Sequence, residues 1–319
     1  MRLCRFRHQN CVEVGLYSEQ GVWPLEALAA SYREQSGAVL HLPDSHELLS
    51  FLPPAADGHA AAKHLDRWLS GTPQTRRPQP LAPEAVELLV PIEHPNKMFF
   101  LAGNYTEHIL EGGGVAAERA ETFPYVFMKP PSTTLTAPGQ PVRIPAVSPS
   151  HVDWELELAV IIGKTTRRVS EADALSHVAG YTIINDISDR QFKPNPGRKT
   201  RPRDAFFDWL HGKWHDSFCP CGPCVVPADD IPDPQNLRLE LKLNGGVRQS
   251  ASTAQQIFPV AAVIEFISSF VTLEPGDIIA TGTPSGVGHA TGHYLKPGDL
   301  LAASIDAIGT LVSPVIADE

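Results

Sequence analysis

No uninterrupted apolar run in this chain reaches membrane-spanning length; the best candidate, Val260 to Val271, is broken by Glu265 and two serines. The start, Met1-Arg2-Leu3-Cys4-Arg5-Phe6, holds no apolar signal core and leads straight into a strand-like pattern, so a soluble, cytoplasmic protein is expected. Basic residues are in deficit. The 26 Lys and Arg against 36 Asp and Glu give a formal charge of -10, which argues against nucleic acid or an anionic membrane as the main partner. Cysteines number five, an odd count that does not suggest a disulfide framework. Three of them crowd the stretch Cys219-Pro-Cys221-Gly-Pro-Cys224, but no fourth ligand at zinc-site spacing is near, so free thiols are expected. Charged residues make up only 19% and hydrophobic ones 42%, ample for a globular core. The 30 prolines and 24 glycines favour many turns and short strands over a helical bundle.

Hydrophobic periodicity then divides the chain. Residues 2–28 read as strand-turn-strand, a small β unit, and 59–69 as a helix. Ser70 to Pro95 is Pro-rich and reads as a linker with a short helix over 83–89, which places a boundary near residue 95. A small N-terminal domain and linker (1–95) would precede a larger catalytic domain (96–319). In the larger part, strands are expected at 97–102, 124–128, 153–162, 178–186, 223–226, 237–243, 277–281 and 299–306. Helices are expected at 171–178, where Ser170 and Asp173 form a cap signal, and at about 256–271. Strands outnumber helices, so the expected class is α+β, mainly antiparallel β.

Three clusters bear chemistry. In Asp153-Trp-Glu155-Leu-Glu157, the two glutamates stand two apart on a strand that runs into the apolar stretch Leu158 to Ile162, so both carboxylates face one way. Burying them side by side is costly unless a cation lies between, and an all-oxygen site suits Mg²⁺, with Mn²⁺ or Ca²⁺ as alternatives. A solvent-facing strand edge is the plain alternative. Asp186, at the end of the next strand, can join the pair by hairpin-type pairing. In the second cluster, Gly103-Asn104-Tyr105-Thr-Glu-His108-Ile-Leu-Glu111, a short helix sets His108 and Glu111 on one face. This is the arrangement of a general base acting on water, or of an ordinary surface pair. Third, Thr281-Gly282-Thr283-Pro-Ser-Gly-Val-Gly288 is a glycine-rich turn whose N–H groups, that of Gly282 among them, can cradle a carboxylate, with the Thr283 hydroxyl as a further donor. It lacks the Gly-Lys-Ser/Thr ending of a phosphate loop.

Taken in order, Gly-Asn-Tyr-x-x-His-x-x-Glu, Asp-Trp-Glu-x-Glu-x-Ala, Ala-Gly-Tyr-x-x-x-Asn-Asp, Gly-Lys-x-x-Asp-x-Phe-x-Pro-x-Gly-Pro and Thr-Gly-Thr-Pro-Ser-Gly-Val-Gly resemble the fumarylacetoacetate hydrolase superfamily over about residues 96–318. The resemblance implies a mixed β-roll behind a small N-terminal β domain, usually as a homodimer. It implies Glu155, Glu157 and Asp186 as ligands of Mg²⁺ or Mn²⁺, and His108, oriented by Glu111, as the base. Lys213 would meet the developing enolate oxygen. Thr283 and Arg190 would bind a substrate carboxylate. Lys129 falls at a commonly basic position, with structural pairing as an equal contender. Some relatives carry a further acidic ligand where this chain has Leu101, and many carry Gln where it has Lys193. The basic stretch 193–203 reads as a solvated loop, and Phe206, Phe207 and Trp209 after it can cap a pocket. The implied reaction is C–C bond hydrolysis of a 2,4-dioxo acid, an acylpyruvate or fumarylpyruvate. Decarboxylation of an oxaloacetate-like 2-oxo acid and isomerisation of a 2-oxo dicarboxylate are alternatives on the same site. A non-catalytic metal- and ligand-binding family member is the alternative of a different class.

Overall fold

The seven-residue run Leu156–Ile162 is buried throughout, which a strand can achieve only where both faces of its sheet are covered. A computed structural model, describing residues 1–318, shows how. The chain opens with β1 (Leu3–His8), β2 (Cys11–Ser18), β3 (Gly21–Pro24), α1 (Leu25–Ser36), α2 (Ala56–Gly71) and β4 (Glu87–Leu88). There follow β5 (Met98–Ala102), α3 (Thr106–Glu111), β6 (Tyr125–Met128), α4 (Pro131–Thr134), β7 (Leu135–Thr136) and β8 (Val142–Ile144). The middle of the chain forms β9 (Val152–Asp153), β10 (Leu156–Ile162), α5 (Glu171–Ala174), β11 (Val178–Asn185), β12 (Ser188–Asp189) and α6 (Asp204–His211). The last third forms β13 (Cys219–Pro227), β14 (Arg238–Leu243), β15 (Gly246–Ser252), α7 (Val260–Phe270), β16 (Ile278–Ala280), α8 (Gly288–Thr291), β17 (Leu300–Ile305) and β18 (Gly309–Ala317).

The main sheet runs β3-β2-β1-β13-β11-β10-β16-β5-β6, mostly antiparallel, with β5 parallel to β16. A second sheet runs β15-β14-β17-β18-β8. Leu158, Val160 and Ile162 face a core shared with the second sheet and with Val263, Ile264 and Ile267 of α7. Ala159 and Ile161 face the other core, which α1 and α2 cover through Leu25, Leu28, Ala62 and Leu65. The N-terminal strand β1 is thus built into the main sheet, pairing with β13 through Leu3 and Val225.

Most expected strands are present, and the differences have physical causes. The β unit expected over 2–28 ends at Pro24, where α1 begins; proline's fixed φ suits a helix start, and Leu25 and Leu28 turn inward at helical spacing. β15 has no apolar alternation because it is an edge strand with Gln249 as its one buried residue; Asn244 and Gly245, at φ 52° and 81°, form the tight hairpin before it. The expected strand 153–162 breaks at Trp154–Glu155. There Asp153 Oδ1 accepts from the Trp154 N–H and Asn185 Oδ1 accepts from the Glu155 N–H, so side chains replace the ladder. Cys219, Cys221 and Cys224 are buried free thiols along β13.

Asn104, fully buried, fastens three segments: its Nδ2 donates to Phe258 O and Thr281 O, and its Oδ1 accepts from Phe258 N. Asn104→Ala leaves those three groups unpaired away from water. Denaturant unfolding should show a loss of about 2–4 kcal/mol; a change under about 0.5 kcal/mol would mean that water reaches them.

Candidate active site

Antiparallel pairing of β10 with β11 sets Glu157 opposite Ile184, and the Asp186 N–H donates to Glu155 O at 2.8 Å. Local strand geometry thereby brings three acids together: one carboxylate oxygen from each of Glu155, Glu157 and Asp186 lies within 4.8 Å of the others, and all three residues are buried. Among the described residues no histidine or cysteine joins such a group.

Cations hold two of the acids. Lys213 Nζ donates to Glu155 Oε2 at 2.9 Å and to Asp186 Oδ2 at 2.6 Å. Lys129 Nζ donates to Asp186 Oδ1 at 2.7 Å, Ile187 O at 3.0 Å and Phe218 O at 2.6 Å, which uses all three of its protons. Structural pairing therefore accounts for Lys129. Arg190 contacts Glu155 Oε1 through Nη1 at 2.6 Å and Asp153 Oδ2 through Nε at 2.8 Å; its Nη2 is buried without a partner. Burial alone would raise the Glu155 pKa, but the charges of Arg190 and Lys213 overcome it and hold the carboxyl below its ordinary range.

Glu157 differs. Its Oε2 accepts from the Gly282 N–H at 2.7 Å, while Oε1 is buried and has no hydrogen-bond partner. Burial, followed by the negative charges of Asp186 and Glu155, pushes its pKa well above the ordinary carboxylate range. Among the described residues, Asp153, Glu155, Glu157 and Asp186 have salt-bridge partners only in Lys129, Arg190 and Lys213, three cations for four acids, and Glu157 is the acid left without one. An orphaned, acceptor-only oxygen between two further carboxylates fits a hard divalent cation with oxygen ligands.

The turn after β16 does cradle carboxylates, but they are the protein's own. Besides Gly282, the Gly286 N–H donates to Glu111 Oε2 at 2.9 Å, and the Gly288 and His289 N–H groups donate to Asp153 at 2.6 and 3.0 Å. Gly282 and Gly286 have φ of 91° and 98°, which side-chain-bearing residues rarely adopt, and a Cβ on Gly286 would fall 2.0 Å from Arg248 O. Thr283 is buried, its hydroxyl donating to Leu156 O at 3.0 Å and accepting from Gln249 Nε2 at 2.8 Å. It pins the turn to β10, and its proton is already committed. Asp153 and Gln249 are the functional supports that sequence reasoning missed. Asp153 opens the Asp-Trp-Glu-Leu-Glu segment, whereas nothing local marks Gln249.

The His108–Glu111 pair forms as expected on α3: Nδ1 and Oε1 are 2.8 Å apart. Burial favours a raised Glu111 pKa, but the His108 and Gly286 hydrogen bonds outweigh it and keep the group ionised. An ionised carboxylate can only accept, so Nδ1 carries a proton, and in the neutral imidazole Nε2 then presents a lone pair. When His108 carries a second proton, as it would after taking one from water, its charge is near enough to Glu155 to lower the pKa of that carboxyl.

Glu157→Gln keeps an acceptor for Gly282 but removes the uncompensated charge. Calorimetric titration with Mn²⁺ should show affinity reduced at least about 100-fold, by loss of a charged ligand, with the thermal transition little changed. Unchanged Mn²⁺ affinity would remove Glu157 from the ligand set.

The family model of the fumarylacetoacetate hydrolase C-terminal domain matches residues 97–316. Over 233 residues the chain is 40% identical to the mitochondrial oxaloacetate tautomerase of Xenopus laevis, spanning 72% of this chain and 69% of that one. It is 41% identical over 224 residues to the 2,4-didehydro-3-deoxy-L-rhamnonate hydrolase of Sphingomonas sp. (strain SKA58), spanning 69% and 73%. A maleylpyruvate hydrolase from Sphingobium sp. SYK-6, solved with manganese(II) and pyruvate, shares the fold with TM-score 0.71 and 29% identity over 100% of both chains. Acid trio, imidazole pair and glycine turn therefore lie inside a matched domain, and the chain belongs to the fumarylacetoacetate hydrolase family.

Proposed function

We propose that the protein hydrolyses the C3–C4 bond of a 2,4-dioxo acid, giving a carboxylic acid and pyruvate. The observation that carries this reading is the His108–Glu111 pair docked on Gly286, with Nε2 free to act as a base, beside the acid trio. A divalent cation, Mg²⁺ or Mn²⁺, held by Glu155, Glu157 and Asp186 supplies Lewis-acid polarisation of the 2-oxo-acid oxygens when bound. The rhamnonate hydrolase relative, and the maleylpyruvate hydrolase with manganese and pyruvate, support both the reaction and the ion.

The residues divide the work. Arg190 Nη2, the buried donor left unpaired, binds the substrate carboxylate. His108 Nε2 takes a proton from water as the oxygen adds to the C4 carbonyl. Collapse of that tetrahedral centre breaks C3–C4, and the electron pair passes into the enolate of pyruvate. Lys213 donates two hydrogen bonds, to Glu155 and Asp186, and its third N–H meets the enolate oxygen. A preorganised donor of this kind is worth about 3–4 kcal/mol in the transition state. The proton on Nε2 then returns to C3, so one water is consumed and the products are neutral in proton count. Gly282, Thr283 and Lys129 act by fixing the acids.

The tautomerase relative favours a second reading, keto–enol interconversion of oxaloacetate, in which His108 and Lys213 move a proton without adding water. Decarboxylation would use the same enolate.

Purified protein assayed with acylpyruvates and with oxaloacetate, with Mg²⁺ and in excess EDTA, separates these reactions. Acylpyruvate hydrolysis should require the cation, and His108→Ala should lower it by roughly 10²–10⁴-fold, the range for a positioned general base, while leaving any decarboxylation. Full activity in EDTA would contradict the role of the cation. Equal loss of both activities in His108→Ala would place His108 at the enolate step.

A further inference from the structure

We propose that the group attached to the distal carbonyl is aromatic or bulky and apolar, and that it lodges in a cavity of about 500 Å³ beside the acid trio. This rests on the dioxo-acid reading and adds the substrate class. The cavity lies along β6. Tyr125 and Phe127 come from that strand, Phe206 and Trp209 from α6, and Phe266 and Phe270 from α7. No charged side chain lines it.

Two observations join the cavity to the acids. Lys213 Nζ lies 5.1 Å from the ring centroid of Phe127 and 5.7 Å from that of Trp209, so the cation that bridges Glu155 and Asp186 lies against two rings of the cavity wall. The strand register supplies the second. Ala159 pairs with Ala280, Ala280 with Phe100, and Phe100 with Phe127, and all four residues face the same core. Two residues along each strand, Glu157, Gly282, Ala102 and Tyr125 form the next row on that face, with the Gly282 N–H on Glu157 and with Ala102 opposite Tyr125. Strands spaced by about 4.8 Å put Tyr125 roughly 14 Å from Glu157 across this row. Between them in the row stand Gly282, against which the Asn104 Cβ packs, and Ala102. Ala102 and Tyr125 both line the cavity, which thus begins two strands from Glu157.

A dioxo acid held by its carboxylate at the acid trio carries its C4 substituent about 5 Å further on, by ordinary bond lengths. A phenyl-sized group then enters the cavity and exchanges water for ring contacts. A second carboxylate there would lie against apolar walls that hold no cation. The basic loop does not supply one from Arg198 or Arg201, since Arg198 is paired with Asp204 and Asp208, and Arg201 with Asp204.

The test compares kcat/KM of the full chain with Mn²⁺ for 2,4-dioxo-4-phenylbutanoate, 2,4-dioxopentanoate and fumarylpyruvate. The phenyl substrate should exceed the methyl one by about 10–100-fold, from the apolar area it buries, and fumarylpyruvate should be the poorest. Phe206→Asp should cut the phenyl-to-methyl ratio at least 10-fold. Calorimetric binding of 2-oxo-4-phenylbutanoate against 2-oxobutanoate gives a readout that needs no turnover. If no dioxo acid is cleaved but the phenyl ligand binds at least 10-fold tighter, the hydrolase reading fails and the cavity assignment stands. If the dioxo acids are cleaved with equal efficiency and Phe206→Asp leaves the ratio unchanged, the cavity assignment is overturned and the hydrolase reading stands. If Phe206→Asp alters the sedimentation of the protein and not the ratio, the cavity belongs to a contact with a second copy, which also overturns the assignment.

Discussion

One buried carboxylate charge without a counter-ion organises this molecule's chemistry. Asp153, Glu155 and Asp186 are each bound by Arg190, Lys213 or Lys129, and Glu157 by none of them. Leaving an ion unpaired in a dry interior is among the costliest things a fold can do. The charge is relieved by protonating Glu157, whose raised pKa expresses that pressure, or by a cation that accepts its orphaned Oε1 together with the neighbouring acids. The charges of Arg190 and Lys213 keep Glu155 ionised, and Lys129 and Lys213 hold Asp186 in place by hydrogen bonds, so the ligand set is assembled before any ion arrives.

The glycine turn after β16 binds this set to the catalytic base. Its amides hold Glu157, Glu111 and Asp153, three acids from two separate sequence motifs. Positive φ at Gly282 and Gly286 aims those N–H groups, and Thr283 and Gln249 fix the turn to β10. Imidazole orientation and ligand geometry therefore share one support. A disturbance of the turn should be felt at both, which is a physical reason for the glycines at Gly282 and Gly286.

Much of the site was legible in the sequence because its logic is local. Alternation on a strand sets Glu155 with Glu157, the neighbouring hairpin strand adds Asp186, and three-residue helical spacing pairs His108 with Glu111. The supports were not legible because their partners are remote in the chain: Asp153 meets Gly288 across 135 positions, Leu156 meets Gln249 across 93, and Asn104 meets Phe258 across 154. The same holds for direction of use. A glycine turn and a basic side chain advertise anion binding, but sequence does not say whether the anion is a substrate or the protein's own carboxylate, and here Lys129 and the turn serve the latter. In the fold, buried strands such as β10 and β11 announce themselves. The polar edge strand β15 carries no apolar alternation, and α6, though amphipathic, is only eight residues long and its aromatic residues sit partly in solvent.

Anomalous diffraction from crystals grown with Mn²⁺ tests the central claim most directly. The account predicts one strong peak among Glu155, Glu157 and Asp186, within about 2.0–2.4 Å of Glu157 Oε1, the range for oxygen ligands to such ions. A peak elsewhere, or none while Glu157 Oε1 contacts a protonated neighbour, would contradict it.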